Sequence, residues 1–412
     1  MSASTSPSPA PAWLEARLRA AGGAVPFRIY MDWALHDPEH GAYGSGRLQV
    51  GPRGDFATSP SLGPDFAALL APQIAQWLQQ QPGDGPLALV ETGPGEGHLA
   101  LQLAEALVAG WPELAARTTL VLVEPNAGMA QRQRRLLASA PLPCRWLSFA
   151  ELAASPLVGV MLAHEVLDAL AVERIEWDGA LWRQQLVALH EELDAPPSLQ
   201  LAPGEPLEPP ALAQLEPLGL LQPGPQRAAG FTTELHPGLT PWLADAAAAL
   251  AAGQLLVIDY AHEAWRYYGP QRSNGTLMAY RQQQACDDPL LEPGHWDLTA
   301  HLCLESLQAA AEASGWTPLG QRRQGEALLA LGLAQRLHGL QQSAAGELPE
   351  LLRRREALLR LVDPTALGDF RWIAFCRSGA ADQPERAHPE CAQPERAQPE
   401  ALPLFLQDPP LG

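Results

Sequence analysis

The stretch Leu87–Gly97, LALVETGPGEG, constrains this chain more than any other: a short apolar run closes on Glu91, and glycine then recurs at alternate positions, Gly93, Gly95 and Gly97. An apolar run of this length reads as a parallel strand buried on both faces. Glycines spaced by two let the backbone turn sharply and approach a ligand with no Cβ in the way. From His98 to Ala109 the pattern changes to helical spacing, with Leu99, Leu103, Ala106 and Leu107 on one stripe. The segment is therefore strand, tight turn and helix start, an arrangement that holds a nucleotide-like ligand; a purely structural glycine turn is the alternative.

The dinucleotide fingerprint requires a third glycine where this chain has His98. GxGxG behind a strand ending in Glu points instead to S-adenosylmethionine, whose carboxylate and amino group would lie over the loop. Downstream, strand and helix patterns alternate: Thr119–Glu124, Ala127–Leu137, Cys144–Leu147 and Leu157–Ala163. Alternation of this kind implies parallel strands joined by helical crossovers. Later strands are expected at Gln254–Tyr260, Thr317–Arg323 and Phe370–Arg377, with a hairpin around Asp178-Gly179.

The boundaries that follow are a disordered start over 1–11, an N-terminal helical cap over 12–82, and the glycine-loop domain over 83–193 and 231–378. That domain carries an irregular insertion at 261–298, and a Pro- and Leu-rich insertion of uncertain order separates its halves at 194–230. Pentads such as QPERA and HPECA fill Gln383–Leu402, so 379–412 reads as a solvated repeat tail unable to bury enough apolar surface to fold.

Composition excludes several function classes. A content of 47% hydrophobic residues across 412 positions describes a globular chain of two or three domains, or one domain with insertions. All 27 basic residues are Arg against 46 acids, and a net charge of −19 excludes a nucleic-acid or anionic-membrane surface. Cys144, Cys286, Cys303, Cys376 and Cys391 are odd in number and lack CxxC spacing, which fits a reducing compartment and no zinc ribbon. No signal sequence, membrane-length apolar run or early Arg is present, so a cytoplasmic location without membrane insertion is expected.

Three acidic residues are placed to carry the chemistry. Glu124 ends the second strand where a doubly wound fold presents an acid to ribose hydroxyls, a solvated strand-end acid being the alternative. Glu165 and Asp168 follow the fourth strand, at the sheet edge where ligands bind, and two carboxylates there suit a guanidinium, accepting its N–H groups in pairs. The alternative makes Asp168 a helix cap and leaves Glu165 merely exposed. Thr58 and Ser59, in GDFATSP, are placed to cap the following helix. Tyr260, Tyr280 and Trp296 make either an aromatic wall for a cation or ordinary core. Asp297 and His301, four apart, are more simply a capping Asp and a neighbour than a metal pair, because no third ligand is evident.

Taken in order, HDPEHGAYGSG with GDFATSP, ETGPGEG, LVEPN, AHEVLDALAVERIEW, TTELHP, LLVIDYAHE, GTLMAYRQQQACDDPLLEPGHWDLTAHL and RWIAFCR resemble the MidA family of S-adenosylmethionine-dependent methyltransferases from about Phe27 to Arg377. The resemblance implies a class I, Rossmann-like α/β fold: a seven-stranded sheet with its last strand antiparallel, an N-terminal helical cap and an inserted second lobe. It implies that Glu91, Gly93, Gly95, Gly97, Glu124 and Thr58 serve the S-adenosylmethionine cofactor and that Glu165 and Asp168 are catalytic. The implied partner is a protein bearing a methylatable arginine, since mitochondrial members symmetrically dimethylate an arginine of a complex I subunit. A non-catalytic assembly factor and a small-molecule methyltransferase remain as alternatives. The chain departs from the family at Glu96, often Arg, at His164, often Asn, and at Cys303-Leu304, often Asp-Phe.

Overall fold

A computed structural model describes residues 8–48, 51, 54–55, 57–193, 195–222, 224, 227–342, 348–378 and 402–410. Contacts divide the chain into two compact units. The first comprises Met1–Ala57, Val166–Trp242 and Tyr260–Ala310; the second comprises Thr58–Glu165, Leu243–Asp259 and Ala311–Gly412. The segment expected as one N-terminal cap, 12–82, is thus divided at Thr58.

The second unit is built on a seven-stranded sheet: β1 (Leu87–Thr92), β2 (Thr118–Val123), β3 (Cys144–Trp146), β4 (Leu157–His164), β5 (Leu250–Asp259), β6 (Thr317–Arg323) and β7 (Arg371–Arg377). Their order is β6-β7-β5-β4-β1-β2-β3. Strands β1 to β5 run parallel to their neighbours, whereas β7 lies antiparallel between β5 and β6. This is the α/β architecture implied by the resemblance, its last strand included. Every residue of β1 is buried, as an apolar run in mid-sheet must be. Helices His98–Gly110, Ala127–Leu136 and Phe149–Ala154 make the crossovers. The chain leaves β1 toward β2 and β3 and returns on the other side through β4. The carboxyl ends of β1 and β4 therefore flank the switch point, where an open parallel sheet presents its ligand site.

Two glycines in one row of the central strands leave no room for a side chain, because their φ of 154° and 143° would aim a Cβ at the neighbouring backbone. Ala88, Gly159 and Gly253 stand opposite one another across β1, β4 and β5. A Cβ at Gly159 would lie 1.9 Å from the Ala88 carbonyl oxygen, and one at Gly253 1.8 Å from that of Gly159.

In the first unit, the hairpin Glu173–Trp177 and Trp182–His190 forms around Asp178-Gly179 as expected and is extended by Phe231–Leu235 and Ala24–Pro26. Helices Ala12–Ala20 and Phe27–His36 contribute Leu14, Leu18, Phe27, Tyr30 and Met31 to its core. Two expectations of irregular chain are corrected here. Within 194–230, Ser198–Pro206 is a strand against Trp182–His190 and Pro209–Leu215 is a helix. Pro203 and Pro206 fit because, past its Ser198 end where Pro9 bridges it, this strand pairs only with Trp182–His190 among the described residues, so their missing N–H groups break no inner ladder. Within 261–298, Gln284–Cys286, Met278–Arg281 and Asp297–Thr299 form a small antiparallel sheet. The next helix starts only at Leu304, since Asp297–Thr299 pairs as a strand with Met278–Tyr280.

Both termini also differ from expectation where they are described. Ser8 and Ala10 bond to Leu199 and Pro197. Of the expected tail, Leu404–Leu406 is a 3-10 turn with Phe405 fully buried, while the pentads of 383–401 lie outside the described residues. Among the described residues, no helix is long and apolar enough to cross a membrane.

The close strand row yields a stability prediction. Gly159→Ala is expected to lose about 3 kcal/mol or more in urea unfolding, since backbone must shift to admit the methyl group. Gly85→Ala, where a Cβ meets nothing within 4 Å, is expected to change stability by less than about 0.5 kcal/mol. Equal effects at the two positions would contradict this account of the sheet.

Candidate functional site

In the second unit the chain leaves β1 in a left-handed curl. Gly93, Gly95 and Gly97 have φ of 56°, 53° and 90°, a region that costs an L-residue about 1–2 kcal/mol. The Gly93 N–H donates to Val123 O at 3.0 Å, tying the curl to β2, and the Gly97 N–H donates to Pro94 O at 2.8 Å. Helix His98–Gly110 begins directly after Gly97. Alternate glycines are thus required by backbone conformation, and they leave the main chain bare at the switch point.

Beneath the curl lies Glu91, 4% exposed. Its Oε2 is sealed from solvent and has no hydrogen-bond partner among the described residues. Burial pushes this carboxyl from 4.5 up to about 8, against the lowering effect of a hydrogen bond from the Ala100 backbone. Glu91 is therefore a protonated acid at neutral pH in the ligand-free fold.

Glu124 stands just beyond β2 and is braced from both sides. Its Oε1 accepts from the Asn126 N–H at 2.8 Å and its Oε2 from Gln133 Nε2 at 3.0 Å. A carboxylate offers about four lone-pair directions, so both oxygens keep acceptor capacity for ribose hydroxyls. The fully buried Gln133 is a functional residue the sequence reading missed. Its Nε2 also donates to Gly95 O at 2.8 Å, and its Oε1 accepts from Trp146 Nε1 at 3.0 Å. One side chain thus joins the glycine loop, the acid and β3. No local signal marked it, because a Gln in the sequence AQRQRRL reads as a solvated helix position. The unusual Glu96 is answered from the same helix: Arg132 Nε donates to its Oε2 at 3.2 Å, which neutralises much of the charge that distinguishes this loop.

At the end of β4, Glu165 takes φ of 53°, one of four non-glycine residues with positive φ among those described. Its N–H donates to Ile258 O of β5 at 2.9 Å, so the strained turn is held at the sheet edge. His164 lies 3.4 Å from Glu165, measured from Nδ1 to Oε1. Burial lowers the imidazole to about 3, so the contact joins a neutral ring to an acid and is no ion pair at neutral pH. Phe66 meets the His164 ring edge-on, centroids 5.4 Å apart.

Thr58 opens a 3-10 turn, Ser59–Leu62, and does not cap the helix Asp65–Gln79 as expected. Gly63 and Pro64 intervene, and the Thr58 N–H donates instead to Ser61 Oγ at 3.0 Å. Gln102 Nε2, from the helix after the glycine loop, donates to Pro60 O at 3.4 Å, so the turn packs beside that helix. Phe56 of the same motif lies outside the described residues.

The second unit therefore gathers Glu91, the three glycines, Glu124, Thr58 and Glu165; Asp168 belongs to the first. There Asp168 is buried, and its carbonyl accepts from the Ala300 N–H at 3.0 Å. Tyr280 is raised by burial first, and then by the charges of Asp168 and Asp297. Asp297 is a strand residue opposite Tyr280, correcting its reading as a helix cap. Burial raises it to about 7. Tyr260 stacks on His301 at 5.3 Å, and Arg281 lies over Trp296 at 6.0 Å.

A bare glycine curl at a helix start, an acid with acceptor capacity and a buried acid with an unused oxygen fit an adenosyl amino-acid cofactor carrying an ammonium and ribose hydroxyls. Known proteins agree. A family profile described as "Putative S-adenosyl-L-methionine-dependent methyltransferase" matches residues 69–322. The mitochondrial protein arginine methyltransferase NDUFAF7 homolog of Drosophila melanogaster is 27% identical over 375 residues, 85% of this chain and 81% of the relative. The human mitochondrial protein arginine methyltransferase NDUFAF7 is 26% identical over 343 residues, 76% and 71% of the two chains. A COG1565 superfamily member from Burkholderia thailandensis, solved with S-adenosyl-homocysteine bound, aligns with a TM-score of 0.78 at 30% identity, covering 89% of this chain and 91% of that one.

The raised Glu91 predicts a pH signature in the ligand-free protein. The native state holds a proton that the unfolded chain releases, so this stabilisation is complete below about pH 4.5 and is lost as pH rises through about 8. Glu91→Gln, which keeps the neutral shape, is expected to match the wild type near the low end. By about pH 8 it should be more stable by on the order of 3–5 kcal/mol. A pH-independent difference in urea unfolding would contradict the buried neutral acid.

Proposed function

Because this chain belongs to the family of S-adenosyl-L-methionine-dependent methyltransferases, we propose that it methylates an arginine of a protein substrate. S-adenosylmethionine is its cofactor. When bound, it supplies a methyl group made electrophilic by attachment to a sulfonium. In this reading, Gly93, Gly95, Gly97 and Glu91 would hold its amino-acid end and Glu124 its ribose, with Thr58 serving beside the loop.

The rest falls to the acidic residues. A guanidinium stays protonated throughout the physiological range, so its charge must be localised and one nitrogen freed to attack. Glu165 and Asp168 take that role, each able to accept two N–H groups and fix the plane of the acceptor. The observation that carries the reading is Glu165: a carboxylate on strained backbone, pinned to β5, at the sheet edge where a parallel α/β fold acts. The relatives named protein arginine methyltransferases support the same acceptor. The finer form of the proposal is symmetric dimethylation of an arginine in a complex I-type dehydrogenase subunit.

Mass spectrometry of arginine methylation in cells with and without the gene tests this. Loss of a dimethylarginine on such a subunit is expected; an unchanged protein methylome with a methylated metabolite lost would favour a small-molecule acceptor. Two substitutions test the parts. Gly95→Val is expected to abolish S-adenosylhomocysteine binding in calorimetry, and unchanged affinity would remove the loop from the site. Glu165→Gln is expected to lower the rate of arginine methylation by about 10² or more with that binding intact, and an unchanged rate would end its catalytic role.

A further inference from the structure

Residues 402–410 occupy a built groove on the second unit. Phe405 is fully buried, its ring 6.2 Å from Trp77 and 5.7 Å from Trp372. The groove also reads the segment's main chain: the Phe405 N–H donates to Gln73 Oε1 at 3.1 Å and the Leu404 N–H to Gln76 Oε1 at 3.2 Å. Arg322 Nη1 donates to Phe405 O at 3.2 Å and to Gln407 O at 2.6 Å. Gly320 leaves the space Leu406 fills, since a Cβ there would lie 2.6 Å from Leu406 Cδ1. Gln73 is itself fully buried beneath the segment, and its Oε1 is matched by the Phe405 N–H, so the groove is shaped to accept a peptide main chain.

From Phe405 two buried paths lead to the cofactor edge. Trp372 Nε1 donates to Gln324 Oε1 at 3.2 Å, and Gln324 Nε2 donates to Ser59 Oγ at 3.1 Å, within the turn that follows Thr58. By the other path Trp372 meets Phe66 at 6.0 Å, Phe66 meets His164 at 5.4 Å, and His164 adjoins Glu165. Ser59, Phe66, Gln324 and Trp372 are all fully buried, so a void opened beside Trp372 has little slack to absorb it.

We propose that this surface is a peptide-binding groove for a Leu-Phe-Leu motif, that its ligand is the chain's own Leu402–Pro410, and that the docked segment positions the Ser59 turn and His164 for cofactor binding. The occupant is the same chain's segment because the structure seats it there, with Phe405 fully buried, and because it is covalently part of the chain that carries β7, so no second copy has to be found. Phe405 is a positioning residue, and this coupling rests on the reading of the glycine-loop edge as the cofactor site.

Full-length Phe405→Ala and Phe405→Leu, held below the temperature at which either unfolds, test the proposal with two readouts. Phe405→Ala should raise the calorimetric Kd for S-adenosylhomocysteine at least fivefold, Phe405→Leu should stay within twofold of wild type, and excess LPLFLQD peptide should restore Phe405→Ala. A fluorescein-labelled LPLFLQD peptide should bind Phe405→Ala saturably and wild type at least tenfold more weakly. A lowered Tm with unchanged Kd would make the segment structural only and overturn the positioning role; no saturable peptide binding would overturn the groove. If wild type itself fails to bind S-adenosylhomocysteine, the cofactor reading and the positioning role fall together, and the labelled peptide alone decides the groove.

Discussion

The second unit depends on one backbone constraint: three left-handed positions in five residues at the carboxyl end of β1. Only glycine takes such a conformation freely, and the resulting curl turns β1 into a helix without covering the switch point of the sheet. The three glycines have no side chains with which to hold the curl, whose Glu96 is bonded to Arg132. The curl's support is borrowed from Gln133, which bonds the loop carbonyl, Glu124 and the Trp146 indole together. The curl is therefore held by a buried amide whose donors and acceptor are matched, and its placement comes from the neighbouring helix.

The same device recurs away from the loop. Gln324 links Trp372, Ser59 and the carbonyl of Leu367, and Gln73 receives the tail. Each is a buried amide whose donors and acceptors are matched to named groups, which stabilises little on balance but makes every alternative arrangement costly. One buried acid is treated in the opposite way. Glu91 lies where no cation reaches it among the described residues and responds by holding its proton.

Much of this was legible in the sequence. The alternation from Leu87 to Ala163 gave the parallel strands, and the glycine spacing gave the curl, because both rest on local rules of burial and dihedral angle. What escaped depends on pairing across long separations. Gln133 and Arg132 look like ordinary helix-surface residues until the helix is placed beside the loop, where Arg132 meets the puzzling Glu96. Ser198–Pro206 carries two prolines and becomes a strand only because a partner accepts it on one side. Phe405 follows a run of polar pentads that masks the one aromatic able to anchor the segment. Asp297 sits in a helical apolar period yet pairs as a strand, a preference set by Tyr280 opposite.

The account joins a bare glycine curl, a braced acid and a strained glutamate into one ligand edge on the second unit. Hydrogen exchange of the full chain with and without S-adenosylhomocysteine tests that claim most directly, since it reads local opening segment by segment. Protection concentrated in residues 91–98 and 123–133, with Gln133 joining the two, is the predicted result. Protection absent from both segments, while the ligand demonstrably binds elsewhere, would contradict it.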